Sequence, residues 1–348
     1  MIEFTCDYAE GAHENILNKL SETNRMQTAG YGEDPYCKDA TKKIRDLIQK
    51  PDADIHFLVG GTQANLIVIS SVLRPHQGVI AAQCGHIAVH ETGAIEATGH
   101  KVITVPSIDG KITAKQIQTV YEDHITDVTH EHMVQPKVVY ISNPTEYGMT
   151  YQLDELQAIH EVCQENGLFL YLDGARLAYG LTSENNTLDL PAIADLCDVF
   201  YIGGTKCGAL LGEAVVITNP LLKQDFRYLI KQKGGLLAKG RLLGIQFSEL
   251  FSGDLYFKLG RHGNQMAMKL KDAFLKQGWE LYVDSYTNQQ FPVIPNPILK
   301  QIEKKYTYSY IAPVDEKRSI VRFCTSWATR EENIDTFLTD LKHWERLF

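Results

Sequence analysis

The sequence predicts an α/β protein with a mostly parallel sheet of seven strands, helices on both faces of that sheet, and a smaller C-terminal α+β domain. Between residues 55 and 219, short apolar runs rich in β-branched residues alternate with helical patterns, which is typical of a parallel sheet covered on both faces. After about residue 220 the alternation stops and a largely helical stretch begins. The length of 348 residues suits two domains of about 150 residues each.

Two amphipathic helices open the chain. Residues 15–23 and 38–50 each place their apolar side chains on one helical face, the pattern of a helix that packs against a core. A glycine-flanked loop over residues 30–36 separates them and carries Tyr31. Because Pro35 disfavours helix at the residue before it, we expect an ordered surface loop here.

Seven strands with three helices between them follow. The predicted strands are 55–60, 79–83, 101–106, 137–143, 168–173, 199–203 and 214–219. The predicted helices between them are 62–73, 87–99 and 154–167. Ligands of such sheets bind at the carboxyl ends of the strands, so the residues found there are the first candidates for a functional site.

The C-terminal part predicts a small α+β domain. Residues 221–276 are largely helical, and a capping box at Thr329 and Glu332 starts a final helix. The strands predicted between them are 279–283, 290–294 and 319–324. The predicted division of the chain is an N-terminal arm that joins the small domain (1–14), a large domain (15–240) and the small domain (241–348).

The composition argues against several classes of function. The net charge of −9 and a pI near 5.7, without any basic cluster, predict no nucleic-acid partner. The seven cysteines are widely spaced and form no C-x-x-C motif, which argues against disulfides or a zinc site and favours a cytoplasmic location. Neither a signal peptide nor an uninterrupted apolar run of about 18 residues is evident, so we expect no membrane partner.

Two glycines and a hydroxyl follow the first strand. Gly60, Gly61, Thr62 and Gln63 lead directly into a helix, where free N–H groups and the Thr62 hydroxyl would form an anion site. The alternative is a plain glycine-rich turn, because neither glycine motif of nucleotide-binding proteins is present.

Two histidines follow the second strand. His86 and His90 have the i, i+4 spacing of one helical face, but Glu91 follows both, so the H-E-x-x-H order of a zinc site is not met. We therefore predict no metal. An imidazole at a strand end suits stacking on a flat ligand, which favours His86 as a site residue, and the alternative is a buried structural histidine.

Asp173 ends a strongly apolar strand, and Arg176 follows three residues later. A buried carboxylate needs a partner, so one interpretation is a structural Asp173–Arg176 pair. The other is that Asp173 faces a cationic ring nitrogen while Arg176 binds an anionic substrate group. Arg322, inside another apolar strand, either holds a carboxylate or is an edge-strand charge.

Lys206 lies between two predicted strands and is bracketed by glycines. Glycine allows close backbone approach, and lysine can bind a ligand covalently or hold a phosphate, although a solvent-exposed hairpin fits the segment alone. Thr62, His86 and Asp173 each follow or end a strand of the same sheet. Together with Lys206 they are the parts of a pyridoxal-phosphate site.

Five motifs carry a resemblance to a known family: Tyr31-Gly-Glu-Asp-Pro35, Gly61-Thr62, Gly85-His-Ile87, Leu172-Asp-Gly-Ala-Arg176 and Gly204-Thr-Lys206. With these motifs in this order, the chain resembles the threonine aldolase and β-eliminating lyase family of pyridoxal-phosphate enzymes, which has the aspartate-aminotransferase fold (fold type I). The similarity spans nearly the whole length. The Asp-Gly-Ala-Arg motif and the lysine downstream are its most specific part.

The resemblance implies pyridoxal 5'-phosphate as the cofactor. Lys206 would carry it as a Schiff base, and His86, stacked on the ring, is the second expected catalytic residue. The residues expected to contact the cofactor are Gly61, Thr62, Gln63, His86, Asp173 and Lys206. The resemblance places the phosphate at Gly61 and Thr62, and the pyridine nitrogen at Asp173.

The resemblance also implies how an amino acid substrate is held. The residues expected to contact it are Arg176, Arg322, Cys6, Asp7, Tyr31 and Thr145. The two arginines would bind the substrate carboxylate. Tyr31 would reach the site of a neighbouring subunit, so a homodimer or homotetramer is expected.

The function implied is cleavage of a β-hydroxy-α-amino acid, such as threonine or allo-threonine, to glycine and an aldehyde. Two alternatives remain open. One is a β-eliminating lyase that acts on an aromatic or thiol amino acid with the same cofactor. The other is a non-catalytic protein that keeps the fold as a binding or regulatory module.

Overall fold

The protein is built around one seven-stranded sheet, and the computed structural model describes residues 1–345. The strands of this sheet are β1 Asp54–Leu58, β2 Gln77–Ala82, β3 Lys101–Val105, β4 Gln135–Ser142, β5 Phe169–Asp173, β6 Val199–Gly203 and β7 Glu213–Ile217. Across the sheet their order is β1-β7-β6-β5-β4-β2-β3. Each strand overlaps one of the seven predicted from the sequence, so the prediction of the sheet is confirmed.

The strand of this sheet that comes last along the chain is antiparallel to the others. β7 is antiparallel to both of its neighbours, β1 and β6, whereas the remaining pairs are parallel. The connection from β6 to β7, residues 204–212, is shorter than the dozen or so residues that a parallel crossover needs. The carboxyl ends of six strands and the amino end of β7 therefore meet at one edge of the sheet.

Helices cover both faces of the sheet and form much of the C-terminal part. They are α1 Glu14–Thr23, α2 Pro35–Ile48, α3 Gly61–Val72, α4 His86–Val89, α5 Ala114–Thr126, α6 Leu153–Glu165, α7 Leu177–Leu181, α8 Leu190–Leu196, α9 Phe226–Gln232, α10 Arg241–Leu250, α11 Leu255–Lys276, α12 Asn296–Ile302 and α13 Glu331–Glu345. Within residues 1–345, no helix combines the length and the apolarity that a membrane crossing requires.

The helix predicted over residues 87–99 is wrong beyond Val89. α4 ends there, and Thr92 and Gly93 have φ angles of 54° and 70°, left-handed values that are incompatible with a continuing α-helix. A helix that the sequence reasoning missed, α5, begins at the capping box of Thr113 and Gln116, where each side chain accepts a hydrogen bond from the other's backbone N–H.

Side chains of the central strands alternate between two hydrophobic cores. In β5, Leu170 and Leu172 face one core and Tyr171 faces the other. In β6, Phe200 faces the first core and Tyr201 the second. Because both faces are buried, these strands are apolar along their whole length, which is the pattern that predicted the fold.

A second, four-stranded antiparallel sheet lies in the C-terminal part. Its strands are β8 Gln289–Gln290, β9 Val293–Pro295, β10 Ser309–Pro313 and β11 Arg318–Cys324, and β11 pairs with each of the other three. The strand predicted over 290–294 is split into β8 and β9. The strand predicted over 279–283 is wrong, because only Leu281 makes an isolated bridge, to Pro292.

The N-terminal arm packs into the C-terminal core. Phe4 is fully buried and its ring contacts Tyr306, Phe323 and Phe337. α10, in contrast, packs against α2, and its Phe247 belongs to the core of the large sheet. We therefore propose that the large domain extends through α10, beyond the boundary predicted at residue 240.

The arm should contribute strongly to stability through Phe4. Replacing Phe4 by Ala should lower the free energy of unfolding by about 3–5 kcal/mol, as expected for removing a fully buried aromatic ring. Urea unfolding measures this change. As a control, Ile108→Ala, at a side chain that is 83% exposed, should change stability by less than about 0.5 kcal/mol. Equal effects of the two substitutions would show that the arm is not anchored by Phe4.

Candidate active site

A cavity of about 300 Å³ opens at the carboxyl edge of the large sheet. Seven of the residues predicted from the sequence line it: Gly61, Thr62, His86, Thr145, Asp173, Arg176 and Lys206. They come from the ends of β1, β2, β4, β5 and β6. The structure thus brings together residues that are up to about 145 positions apart in the chain, as the strand-end argument expects.

The start of α3 forms one wall of this cavity. Ala64 N–H is the first to bond back within the helix, to Gly60 O at 3.0 Å, so the N–H groups of residues 61–63 are free of intrahelical partners. Gly61 packs closely, because a Cβ there would lie 2.9 Å from the Tyr201 hydroxyl. Free N–H groups at the positive end of a helix dipole form a site for an anionic group.

The side chain of Gln63 does not belong to this wall. Its Oε1 accepts a hydrogen bond from Val59 N–H at 3.2 Å and its Nε2 donates to Lys233 O at 3.2 Å. Val59 lines the cavity, but Lys233 and Gln63 itself do not. Only the backbone N–H of Gln63 remains as a donor toward an anion.

Asp173 is buried at the end of β5 and accepts four hydrogen bonds. They come from Tyr140 OH at 2.7 Å, Asn65 Nδ2 at 3.2 Å, Ala175 N–H at 3.0 Å and Tyr201 OH. Burial and the charge of Asp173 raise the pKa of both tyrosines, so both phenols stay protonated and donate. The carboxylate is therefore held without Arg176, and the structural Asp173–Arg176 pair is wrong.

His86 is oriented by a buried carboxylate. Its Nδ1–H donates to Glu91 Oε1 at 2.7 Å. Asn65 Nδ2 donates to the same oxygen at 2.6 Å and also reaches Asp173. One amide thus links the histidine to the strand-end carboxylate. Sequence reasoning used Glu91 only to argue against a metal, and nothing local marks Asn65, a buried polar residue inside α3.

Arg176 forms an ion pair with Asp7 of the N-terminal arm. Its Nε and Nη2 donate to the two carboxylate oxygens at 2.7 and 3.0 Å. Burial opposes ionisation of Asp7, but the charges of Arg176 and Lys206, together with the hydrogen bonds from Arg176 and Asn288, outweigh it and lower the pKa of Asp7. Asn288 Nδ2 adds a hydrogen bond at 2.8 Å. Nη1 of Arg176 has no partner in the described part of the chain and is not enclosed, so it is available to a ligand.

Lys206 lies in the turn between β6 and β7, beside an acid that sequence reasoning missed. Burial, together with the positive charge of Arg176, lowers the pKa of the amine. Glu213, the first residue of β7, accepts from Thr205 Oγ1 at 2.9 Å and Gly204 N–H at 3.2 Å, and burial raises its pKa. The position of Lys206 is fixed further by Tyr179 OH, which donates to its carbonyl at 2.7 Å.

Four other predicted residues lie differently from expectation. Asp7 pairs with Arg176, which lines the cavity, but Asp7 itself does not line it. Arg322 also lies outside the lining and donates to Thr5 O and Gln289 Oε1. Cys6 is half-buried and outside the lining as well. The Thr145 hydroxyl is at the wall, but it already donates to Asp109 O at 2.8 Å.

Tyr31 is 45% exposed and borders a separate hollow. Its φ angle is 58°, and Lys231 Nζ lies 4.9 Å from the ring centre. It therefore makes no contact with the cavity of its own chain. Any role at an active site would have to be in a neighbouring subunit.

Besides the seven predicted residues, the lining includes Tyr8, Ser142, Glu146 and Glu213, which were not predicted as site residues. Glu213 begins an apolar strand, and its place at this edge follows from the reversal of β7, so the reasoning that identified Asp173 at the end of a strand did not reach it. Glu146 directly follows Thr145 and carried no separate signal. Within residues 1–345, no group of three or more His, Cys, Asp or Glu side chains is arranged to hold a metal ion.

Comparisons with known proteins agree on one family. The family described as beta-eliminating lyase matches residues 7–294. The low specificity L-threonine aldolase of a Pseudomonas species is 30% identical over 98% of this chain and 97% of its own. The structure of a Leishmania major threonine aldolase superposes with a TM-score of 0.97 at 47% identity, covering 99% of this chain and 100% of that one.

A more distant structure shares the fold alone. The aspartate aminotransferase of Thermus thermophilus superposes with a TM-score of 0.72 at 14% identity and covers 100% of this chain and 92% of its own. The expected aspartate-aminotransferase fold is thereby confirmed.

The buried pair of Asp7 and Arg176 should be important for stability. Replacing Asp7 by Asn leaves a buried guanidinium without its counter-ion, so we expect a loss of about 3–5 kcal/mol in the free energy of unfolding at pH 7. Because the pKa of Asp7 is lowered from 3.8, its contribution is present above that pH and disappears at lower pH. The gap between wild type and variant should therefore narrow below about pH 4.

Asp284→Asn is the matched control for this measurement. Asp284 pairs with the buried Lys271 at 2.7 Å, but its own side chain is 65% exposed. Removing its charge should cost less than about 1 kcal/mol. A similar loss in both variants, or a gap for Asp7→Asn that is independent of pH, would contradict the role assigned to Asp7.

Proposed function

The chain belongs to the β-eliminating lyase family, and we propose that it is a pyridoxal-phosphate-dependent aldolase that cleaves a β-hydroxy-α-amino acid to glycine and an aldehyde. Threonine and allo-threonine are the expected substrates, which the likeness to proteins named threonine aldolases supports. The observation that carries the proposal is one cavity that holds both a buried lysine with a lowered pKa and a helix-end anion site.

The residues of the cavity fit pyridoxal phosphate. The N–H groups at the start of α3 and the Thr62 hydroxyl would hold the phosphate, since free N–H groups at a helix N-terminus bind anions. Asp173, an acceptor with a fixed orientation, would face the pyridine nitrogen. The ring of His86, held by Glu91, would stack on the cofactor. Lys206 would bind it covalently.

When bound, the cofactor would supply an aldehyde for the lysine amine and an electron-withdrawing ring next to the bond that breaks. The part of Lys206 is to be a nucleophile, and only the neutral amine can attack. Burial and Arg176 favour the neutral amine by lowering its pKa. The part of Asp173 is to keep a proton on the ring nitrogen, because a carboxylate favours a cationic neighbour.

Arg176 is the group we propose for the substrate carboxylate. Asp7 holds two of its three nitrogens, so the remaining Nη1 has a fixed direction. Arg322 is proposed as a second contact from the small domain, and its Nε, which is enclosed, has no hydrogen-bond partner within residues 1–345. Fixing the carboxylate fixes which bond at Cα stands in the reactive orientation, and orientation of this kind selects the reaction.

We also propose a homodimer or homotetramer in the cytoplasm. The exposed position of Tyr31, away from its own cavity, supports a role in a neighbouring site. The seven cysteines form no disulfide, which supports a reducing compartment.

A product assay separates aldol cleavage from the alternatives. Threonine isomers should yield glycine and acetaldehyde, whereas β-elimination from serine, cysteine, tyrosine or tryptophan would yield pyruvate and ammonia. Keto acid without glycine would favour the β-eliminating lyase. A colourless protein after incubation with the cofactor would favour a non-catalytic binding module.

The Lys206→Ala variant should lose both the cofactor linkage and the activity. We expect the wild-type protein to be yellow and borohydride to fix the label on Lys206, because only a neutral buried amine reacts with the aldehyde. Mass spectrometry of the peptide locates the label. Lys38→Ala, at an exposed lysine, is the control and should behave like wild type. Label at another lysine would refute the assignment.

A hybrid oligomer tests the role of Tyr31. Mixed subunits carrying Lys206→Ala and Tyr31→Ala contain one site with both residues intact if Tyr31 acts in the neighbour's site. Reassembly of the two weakly active variants should then restore about half of the wild-type activity per hybrid dimer, by the counting of sites in a two-fold symmetric pair. No recovery in a verified hybrid would place Tyr31 outside the neighbour's site.

A further inference from the structure

We propose that Glu146 is a further catalytic residue, the base that takes the proton of the substrate's β-hydroxyl group. This role rests on the proposed function, because aldol cleavage requires that proton to leave as the Cα–Cβ bond breaks. Glu146 lines the cavity and has no part in holding the cofactor as described above. Its position, its hydrogen bonds and its surroundings each support the role.

Glu146 and Lys206 both line the cavity and follow different strands of the large sheet. Lys206 follows β6, Asp173 ends β5 and Glu146 follows β4, and these strands are consecutive neighbours in the sheet. Strands lie about 4.8 Å apart, so β6 and β4 are roughly 10 Å apart, on either side of the strand that Asp173 ends. A substrate whose amino end is directed toward Lys206 would extend its side chain toward Glu146.

The carboxylate of Glu146 is held by one oxygen and leaves the other free. Oε1 accepts the backbone N–H of His86 at 2.8 Å and the Ser142 hydroxyl at 2.8 Å. Oε2 accepts no hydrogen bond from another residue of the described chain, and it is not among the enclosed atoms. Two donors thus fix the direction of an oxygen that faces open space in the cavity.

The other acids of the lining lack a free oxygen. Asp173 accepts hydrogen bonds at both oxygens, and so does Glu213, from Thr205 and Gly204. The Thr145 hydroxyl already donates to Asp109 O. Glu146 is therefore the carboxylate of this lining that can accept a further proton without losing an existing hydrogen bond.

The surroundings of Glu146 give it the basicity that the step needs. Burial raises the pKa of its carboxyl group, and the nearby charge of Asp173 raises it further, against the opposing effect of the hydrogen bonds from its own backbone N–H, from Ser142 and from His86. A general base works best when its pKa lies near the working pH. No Lys, Arg or His within residues 1–345 forms an ion pair with Glu146, so no cation cancels this effect.

The step balances without any further reactant. Glu146 Oε2 takes the hydroxyl proton, the electrons of the O–H bond form the C=O bond of the aldehyde, and the Cα–Cβ bond breaks with its electron pair left at Cα. Cα then takes up one proton to give glycine. Glu146 releases one proton, so the enzyme returns to its starting state.

The test compares Glu146→Gln with the wild-type holoenzyme in two reactions. Gln keeps an oxygen that accepts from His86 and Ser142 but cannot take a proton. We expect kcat for threonine cleavage to fall by about 10²–10⁴, the usual contribution of a general base. Exchange of the α-proton of glycine in D₂O, followed by NMR, should stay within about threefold of wild type, because it involves no hydroxyl group.

Titration of the cofactor-free variant with pyridoxal phosphate supplies a readout that is independent of activity. The visible absorbance and the dissociation constant should match the wild type. Glu131→Gln, at an exposed glutamate, is the control and should leave both reactions unchanged. Glu146→Asp keeps a carboxylate and should recover part of the lost cleavage rate.

Each failure points to a different conclusion. Near-wild-type cleavage by Glu146→Gln would overturn the role of Glu146 and leave the proposed function intact. A parallel loss of cleavage, glycine exchange and cofactor binding would show a structural residue rather than a base. A yellow wild-type protein that exchanges glycine but releases no aldehyde from any β-hydroxy amino acid would overturn the proposed function, and this role with it.

Discussion

The carboxylate of Asp173 is the group around which the site is organised. A charge buried at the end of a central strand is costly unless hydrogen bonds replace water, and here neighbouring strands, a helix and a backbone amide supply them. Asn65, one of these donors, extends the network to Glu91 and from there to His86. The orientation of the histidine thus depends on the same hydrogen bonds that make burial of the aspartate tolerable.

Two cations, Lys206 and Arg176, lie close to buried acids at this edge of the sheet. Lys206 lies within electrostatic reach of Asp7, Asp173 and Glu213 and of the charge of Arg176. Arginine keeps its proton under all relevant conditions, whereas a buried lysine readily gives its proton up. The same surroundings therefore produce a permanent cation that suits a carboxylate and a neutral amine that suits a carbonyl. Burial and charge together assign the two residues different chemistry.

Sequence reasoning recovered what depends on local pattern. The strands were predictable because both faces are buried, and Asp173 and Lys206 were predictable because polar residues at the ends of apolar strands are conspicuous. Glu213 was missed although it shows the same pattern, because its place at this edge follows from the reversal of β7, a tertiary fact. Arg322 and the side chain of Gln63 lie outside the lining. Each is hydrogen-bonded to a residue more than 30 positions away in the chain, Gln289 and Lys233 respectively, and the local pattern does not reveal such partners.

The N-terminal arm connects the C-terminal core to the arginine of the cavity. Phe4 is locked into the aromatic core of the C-terminal part, and Asp7 grips Arg176 beside the large sheet. Three residues of backbone span at most about 11 Å, so the arm has little slack. We therefore expect small shifts of the C-terminal core to move the guanidinium of Arg176, so that a mutation far from the cavity would change substrate binding without altering any residue that lines the cavity.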